Sequence, residues 1–273
     1  MLARAGHGKI ASEEKLLDPR PVPGRRLAHA ILWTPPGRHP AAHCTAARRG
    51  GRGTTPRMEP VTPVTLEGRH VRLEPLGPAH LAGLQVIIEG PRDTFGLTPV
   101  PRTRTELEAY VATALDEQQR GTVLPFATLD AGTGRVLGTT RFGAIEYWVI
   151  PPSSDVARPT GVPHAVEIGW TWLAPSAQRT AVNTEAKRLM LAHAFERWEV
   201  HRVTLKTDSR NLRSRNAIER IGAKLDGIIR AHSAAADGGV RDVAIFSMLA
   251  REWPAARARL DALLARGSSS GAT

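Results

Sequence analysis

The sequence predicts an α/β domain of the α+β type, with helices packed on a mixed, mostly antiparallel sheet. Two observations carry the antiparallel part. Strand-like runs flank Asp130-Ala-Gly-Thr-Gly-Arg135 and again Asp237-Gly-Gly239, short turns that close hairpins. A third observation makes the sheet mixed. Strand-like Val166–Leu173, a helical stripe and strand-like Val203–Thr207 form a strand–helix–strand unit, whose strands lie parallel.

Val71-Arg72-Leu73-Glu74 alternates apolar and polar, as a half-buried strand does, and Gly77-Pro78 ends it. Pro78 opens a short helix that runs to Ile88. Thr103 caps a second helix, Glu106 stands three residues on as in a capping box, and Gly121 stops it. Val123–Leu129 and Val136–Ile150 form the first hairpin, and residues 151–163 are a Pro-rich loop. After Leu173 a short loop feeds a helix that ends near Glu199. On it Val182, Ala186, Met190, Ala194 and Trp198 recur every fourth residue and mark the core face. Asn211–Ile221 is a helix closed by Gly222. Lys224–Ser233 and Arg241–Leu249 form the second hairpin. An amphipathic helix over Glu252–Ala265 precedes a frayed tail.

Composition narrows the function classes. The net charge of +11 looks like that of a nucleic-acid-binding protein, but residues 1–57 hold 11 Lys+Arg against 3 Asp+Glu, +8 of that total. The rest of the chain is nearly balanced, so no nucleic-acid partner is expected for the folded domain. Residues 1–57 also hold seven Pro and seven Gly and no sustained period, and are expected to be a disordered extension. Cys44 is the single cysteine, which excludes an internal disulfide and a multi-cysteine metal site; no metal is expected. No apolar run approaches the roughly 18 residues of a membrane span. No apolar core follows the start MLARAGHGK, so a cytoplasmic protein is expected.

Glu167-Ile-Gly-Trp-Thr-Trp-Leu173, Gln178-Arg-Thr-Ala-Val-Asn-Thr-Glu-Ala186, Asn211-Leu-Arg-Ser214 and Ile221-Gly-Ala223 form one ordered set. The set resembles the GNAT N-acetyltransferases, RimJ/RimL-like branch, over roughly residues 64–250. The resemblance implies a GNAT domain at 58–250 and a C-terminal helix and tail at 251–273. It also implies a sheet splayed between its fourth and fifth strands, with helices on both faces.

The same resemblance implies acetyl-CoA as co-substrate. Its pyrophosphate would sit on the loop of Gln178, Arg179, Thr180, Ala181, Val182, Asn183 and Thr184. A loop entering a helix N-terminus offers free N–H groups and the positive end of the helix dipole, which favour an anion. Ala181 and Asn183 stand where the family pattern has small residues, and Asn183 is the larger departure. Arg179, Lys187 and Arg188 are either phosphate partners or solvated charges. The pantetheine would pair with the backbone of Trp172 and Leu173. Trp170 and Trp172, two apart, are expected on one face of the sheet, as cover for it. Asn211 reads as a helix N-cap and, by resemblance, as a pantetheine contact. Ser214 would approach the thioester sulfur. Many relatives place a tyrosine at the position of Ile218, so Ser214 or a water is left to protonate the thiolate.

The implied reaction moves an acetyl group from acetyl-CoA to a primary amine by direct attack in a ternary complex, in a monomer or homodimer. An ammonium has no lone pair, so a base is needed. Glu167 is the candidate, and His164 and His232 are weaker ones. The alternative is a non-catalytic acyl-CoA-binding regulatory module.

Overall fold

Both predicted turns reverse the chain. Asp130 Oδ1 accepts the Thr133 N–H at 2.8 Å, its hydroxyl at 2.9 Å and the Gly132 N–H at 3.1 Å. These bonds hold its carboxyl below the usual carboxylate range. A computed structural model describes residues 58–151 and 153–269. The expectations for residues 1–57, Cys44 among them, and for the final four residues lie outside the described residues.

Eight strands form one sheet. They are β1 (Leu66–Glu67), β2 (Val71–Pro75), β3 (Leu124–Asp130), β4 (Val136–Glu146), β5 (Ala165–Leu173), β6 (Arg202–Asp208), β7 (Lys224–Ala234) and β8 (Val240–Leu249). Their spatial order is β1-β2-β3-β4-β5-β6-β8-β7. Every pairing is antiparallel except β5 with β6. The two-residue β1 was not predicted, since two residues carry no period to read. It moves the splay to the fifth and sixth strands: β5 and β6 pair only from Ala165 to Glu167, and β5 then runs on without β6 to Leu173.

β4 is shorter than predicted. It bulges after Gly143, where Ala144 takes a left-handed φ of 41°, pairs with β5 once more at Glu146 and Ala165, and ends there. Beyond it the Trp148 N–H bonds to His164 Nδ1 at 3.1 Å and draws the chain out of the ladder.

The helices are α1 (Leu81–Glu89), α2 (Arg104–Gln119), α3 (Ala181–Ala192), α4 (Leu212–Arg220) and α5 (Trp253–Ser269). Thr103 caps α2 by accepting the Glu106 N–H at 3.1 Å, but the Glu106 carboxylate takes the Arg102 N–H, so the box is only half formed. α3 is regular to Ala192, and its last turn widens into a π-helix at His193–Arg197, two residues short of the predicted end near Glu199. Its stripe is buried as predicted, from Val182 at 7% exposure to Met190 and Ala194 at 0%.

One core lies between the sheet and α3 with α5. It takes Val166, Ile168 and Leu173 of β5, the α3 stripe, and Trp253, Ala256 and Leu260 of α5. α5 therefore shares the main core, although the predicted segment at 251–273 was set apart from the domain. The second core, under α1 and α2, takes Leu84, Ile88, Leu107, Val111 and Trp172. Glu185 ties the layers together. Buried on α3, its carboxylate accepts the N–H groups of Arg69, His70 and Val71 at 2.9, 2.6 and 2.8 Å in the β1–β2 turn. No helix among the described residues is long and apolar enough to cross a membrane.

Candidate active site

The site begins with an irregularity in β5. Thr139 pairs with Trp172, yet Arg141 pairs with Gly169, so β5 spends one residue more than β4 over this stretch. That is a β-bulge, and Trp170 adopts a left-handed φ of 51° to make it. Side chains alternate faces along a strand, so an extra residue shifts the phase by one. Val166 and Ile168 face the α3 core, which puts Glu167 on the opposite, α1/α2 face. Trp172, five residues on, would point away from that face in a regular strand. The bulge returns it, and Trp172 packs in the α1/α2 core.

Glu167 is buried at 7% exposure, and its carboxylate lies 2.8 Å from Lys206 Nζ of β6. It sits where β5 and β6 part. A Cβ on Gly169 would come within 3.1 Å of Glu167 Oε1, so Gly169 leaves the carboxylate its room. The indole of Trp170 is 46% exposed and covers Gly143, while Trp172 is 3% exposed against Tyr110 of α2, with ring centres 6.2 Å apart. Both indoles are on the predicted face, but only one is buried.

Arg141 of β4, which the sequence reading passed over, is 4% exposed. Its guanidinium lies between the rings of Tyr110 and Trp170, 5.2 and 4.8 Å from their centres, and pairs with Glu117 at 2.8 Å. A signal for it was present: Arg141 is a lone cation in the middle of the strand run VLGTTRFGAIE. Tyr110 directs its hydroxyl to Thr139 Oγ1 at 2.9 Å.

The predicted phosphate loop does connect β5 to the N-terminus of α3. Thr180 is its cap, accepting the Val182 N–H at 3.2 Å and donating to the Ala177 carbonyl at 2.7 Å. Ala181, Asn183 and Thr184 carry the other first-turn amides. The side chains face inward. Val182 is core, and Thr184 Oγ1 accepts from Arg220 at 2.9 Å, so only their backbone is left for an anion. Asn183 Oδ1 is buried without a partner among the described residues. Arg179 is exposed, with φ 61°.

Gln178 ties the loop inward, donating to the Leu173 carbonyl and to Thr94 Oγ1, both at 2.9 Å. Arg213 of α4 reaches Gln178 Oε1 at 3.2 Å and the Thr94 carbonyl, linking α4 to the α1–α2 loop. Asn211 acts as the predicted N-cap: its Oδ1 accepts the Ser214 N–H at 3.0 Å, which places Ser214 in the first turn of α4. Ile218 is buried.

Two predicted alternatives for basic residues give way to different partners. Lys187 is not solvated: it is 6% exposed and bonds to Thr140 and Thr171. Arg188 pairs with Asp261 of α5 at 3.0 Å. The weaker base candidates lie elsewhere. His164 precedes β5, stacked on Trp148 at 5.1 Å, and burial with Arg158 nearby lowers its pKa. His232 is exposed on β7.

A cavity of about 700 Å³ opens beside this arrangement, between the α1–α2 loop, Tyr110 of α2 and Ala236 in the β7–β8 turn. Its charged lining is mixed: Arg92 and Arg102 with Asp93 and Glu106. The Arg92 guanidinium is engaged by the carbonyls of Ile88, Val100 and Pro101.

The sequence pattern of the acetyltransferase (GNAT) domain matches residues 70–224. A Bacillus subtilis (strain 168) protein, provisionally named ribosomal N-acetyltransferase YdaF, is 34% identical over 87 residues, 32% of this chain. The match spans less than half of that relative, 46% of its length. The crystal structure of a GCN5-related N-acetyltransferase from Brucella melitensis is 28% identical, covers 77% of this chain and 90% of its own, and has a TM-score of 0.63. Mycobacterium smegmatis RimJ, solved with CoA-disulfide, shares the fold at 21% identity and a TM-score of 0.61, over 74% of this chain and 95% of its own.

Proposed function

The chain belongs to the GNAT acetyltransferase family, and on that premise we propose that it transfers an acetyl group from acetyl-CoA to a primary amine. The observation that carries this reading is the stretch of β5 beyond Glu167. It has no β6 partner, and its open backbone edge has a buried carboxylate at the mouth. That edge suits the amides of a pantetheine arm, at Trp172 and Leu173. The first-turn amides of α3 suit the pyrophosphate.

Attack is direct. The amine nitrogen bonds to the acetyl carbon, and the carbon–sulfur bond breaks. The arriving ammonium gives up a proton, through a water, to Glu167. Lys206, 2.8 Å away, balances the carboxylate beforehand. Ser214 or a water protonates the thiolate and regains its proton from the nitrogen as the amide forms.

We assign the acceptor to the α-amine of a peptide. The names of the relatives point to ribosomal proteins, and the cavity lining agrees in its charge. Its two arginines match its two carboxylates, so it offers a polycationic amine no net attraction.

The test is CoA release with acetyl-CoA and a panel of short peptides, polyamines and aminoglycosides. Peptides should turn over fastest. Glu167→Gln should slow turnover about a hundredfold and leave acetyl-CoA affinity unchanged. Ser214→Ala should cost about tenfold, since a thiol of ordinary pKa departs partly unassisted. Acetyl-CoA binding without CoA release from any amine would make the chain an acyl-CoA-binding regulatory module instead.

A further inference from the structure

Behind β5, on the face away from Glu167, the bulge rests on a buried polar cluster that the reaction above does not use. Lys187 of α3 donates from Nζ to Thr171 Oγ1 at 2.6 Å and to Thr140 Oγ1 at 3.1 Å. The two hydroxyls lie 2.8 Å apart, and each reaches the Gly169 carbonyl at a longer 3.4 Å. Both oxygens accept from Lys187, so their own protons turn to one another and to that carbonyl. Gly169-Trp170-Thr171 is the bulged segment, and Thr140 is the β4 residue that the register skips. One amine therefore ties together both sides of the irregularity.

A lysine buried against hydroxyls alone is an expensive way to fill space. The charged groups around it are engaged elsewhere. Glu185 on the same helix holds the β1–β2 turn. Arg188 pairs with Asp261 of α5, and Arg220 of α4 bonds to Thr184. Glu167, across the strand, pairs with Lys206. A methionine of similar length would pack in the same place without the desolvated amine.

We propose that Lys187 is a positioning residue for acyl transfer: it holds the β5 bulge in the phase that sets the Glu167 carboxylate on the face of Trp172. The inference rests on the acetyl-transfer reading, and the experiment separates the two. In the full chain, Lys187→Met, Thr171→Val and the double variant are compared, and Lys187→Met is also made on a Glu167→Gln background.

Each single variant should lose about tenfold in kcat, with acetyl-CoA Kd and acceptor KM held within about twofold. The double variant should lose no more than either single, because both break one connection. On the Glu167→Gln background Lys187→Met should cost nothing further. An unchanged kcat, losses that multiply, or Kd and KM rising with the fall in kcat would each overturn the proposal. If Lys187→Met does not fold, Thr171→Val decides alone, and an unchanged kcat there overturns it. A wild-type chain that releases no CoA with any amine sinks the acetyl-transfer reading and this proposal with it. Wild-type turnover with an indifferent Lys187→Met sinks this proposal only.

Discussion

Replacing Lys187 by methionine should stabilise the folded chain at neutral and acid pH, and the gain should vanish as the pH rises. Burial lowers the amine's pKa from 10.5 to about 7, with no carboxylate partner to offset it. Each unit is worth about 1.4 kcal/mol, so below pH 7 the buried ammonium costs about 5 kcal/mol relative to the unfolded chain. Losing the two hydrogen bonds to Thr140 and Thr171 returns about 2 kcal/mol of that, and the hydroxyls keep each other at 2.8 Å. The net gain for Lys187→Met near pH 6 is therefore about 2 to 3 kcal/mol. Its sign with pH follows from the protons bound. Between pH 7 and 10.5 the unfolded chain holds the proton and the folded chain does not, so wild-type stability rises with pH. The variant lacks this slope, and the two curves converge and cross before pH 10.5. Urea unfolding at pH 6, 7.5 and 9 reads the difference. A variant less stable than wild type at pH 6, or a difference independent of pH, would refute the account of Lys187 as an unpaired buried amine. A variant both more stable and slower would show that the lysine is retained at a cost to stability.

Three further perturbations test the frame around the site. Glu185→Ala strips the acceptor from three N–H groups of the β1–β2 turn. At about 1 kcal/mol or more for each orphaned donor, it should lower unfolding free energy by at least about 3 kcal/mol in urea titration. Gly138→Ala would place a Cβ 2.1 Å from the Trp172 carbonyl oxygen at a φ of 150°. It should part β4 from β5 and show as a loss of more than about 3 kcal/mol; a thermal midpoint within a degree of wild type would contradict the close approach. Ala181→Asp sets a carboxylate at the first turn of α3, against the proposed pyrophosphate, and should weaken acetyl-CoA about tenfold by calorimetry. Unchanged affinity there would move the cofactor away from this loop.

The pieces legible in the sequence are those whose cause lies within a few residues. The stripe Val182, Ala186, Met190, Ala194, Trp198 predicts a buried face because the helical period puts these residues on one side, whatever they pack against. Asn211 three residues before Ser214, and Thr103 before Glu106, cap their helices because the bonds are local. The hairpins follow from Asp and Gly at the turns, and the parallel pair from the helix between its strands. Glu167 was singled out by its motif, and the structure puts it where β5 leaves β6.

What the tertiary structure alone decided is the phase of β5 and the fate of three charges. A bulge is an excess of one residue in one strand over its partner, and no window on β5 contains β4. Without it, parity separates Glu167 from Trp172; with it, they share a face. Lys187 reads as a surface cation because its neighbours in sequence are a helix. It is buried because Thr140, 47 residues away, and Thr171, 16 away, bring their hydroxyls to it. Arg141 is enclosed by Tyr110 and Trp170 for the same reason, and Glu185 by the amides of a turn more than a hundred residues upstream. Backbone period and capping are short-range and repeat in the sequence. Desolvation of a charge and the register between strands depend on atoms that only the folded chain brings together.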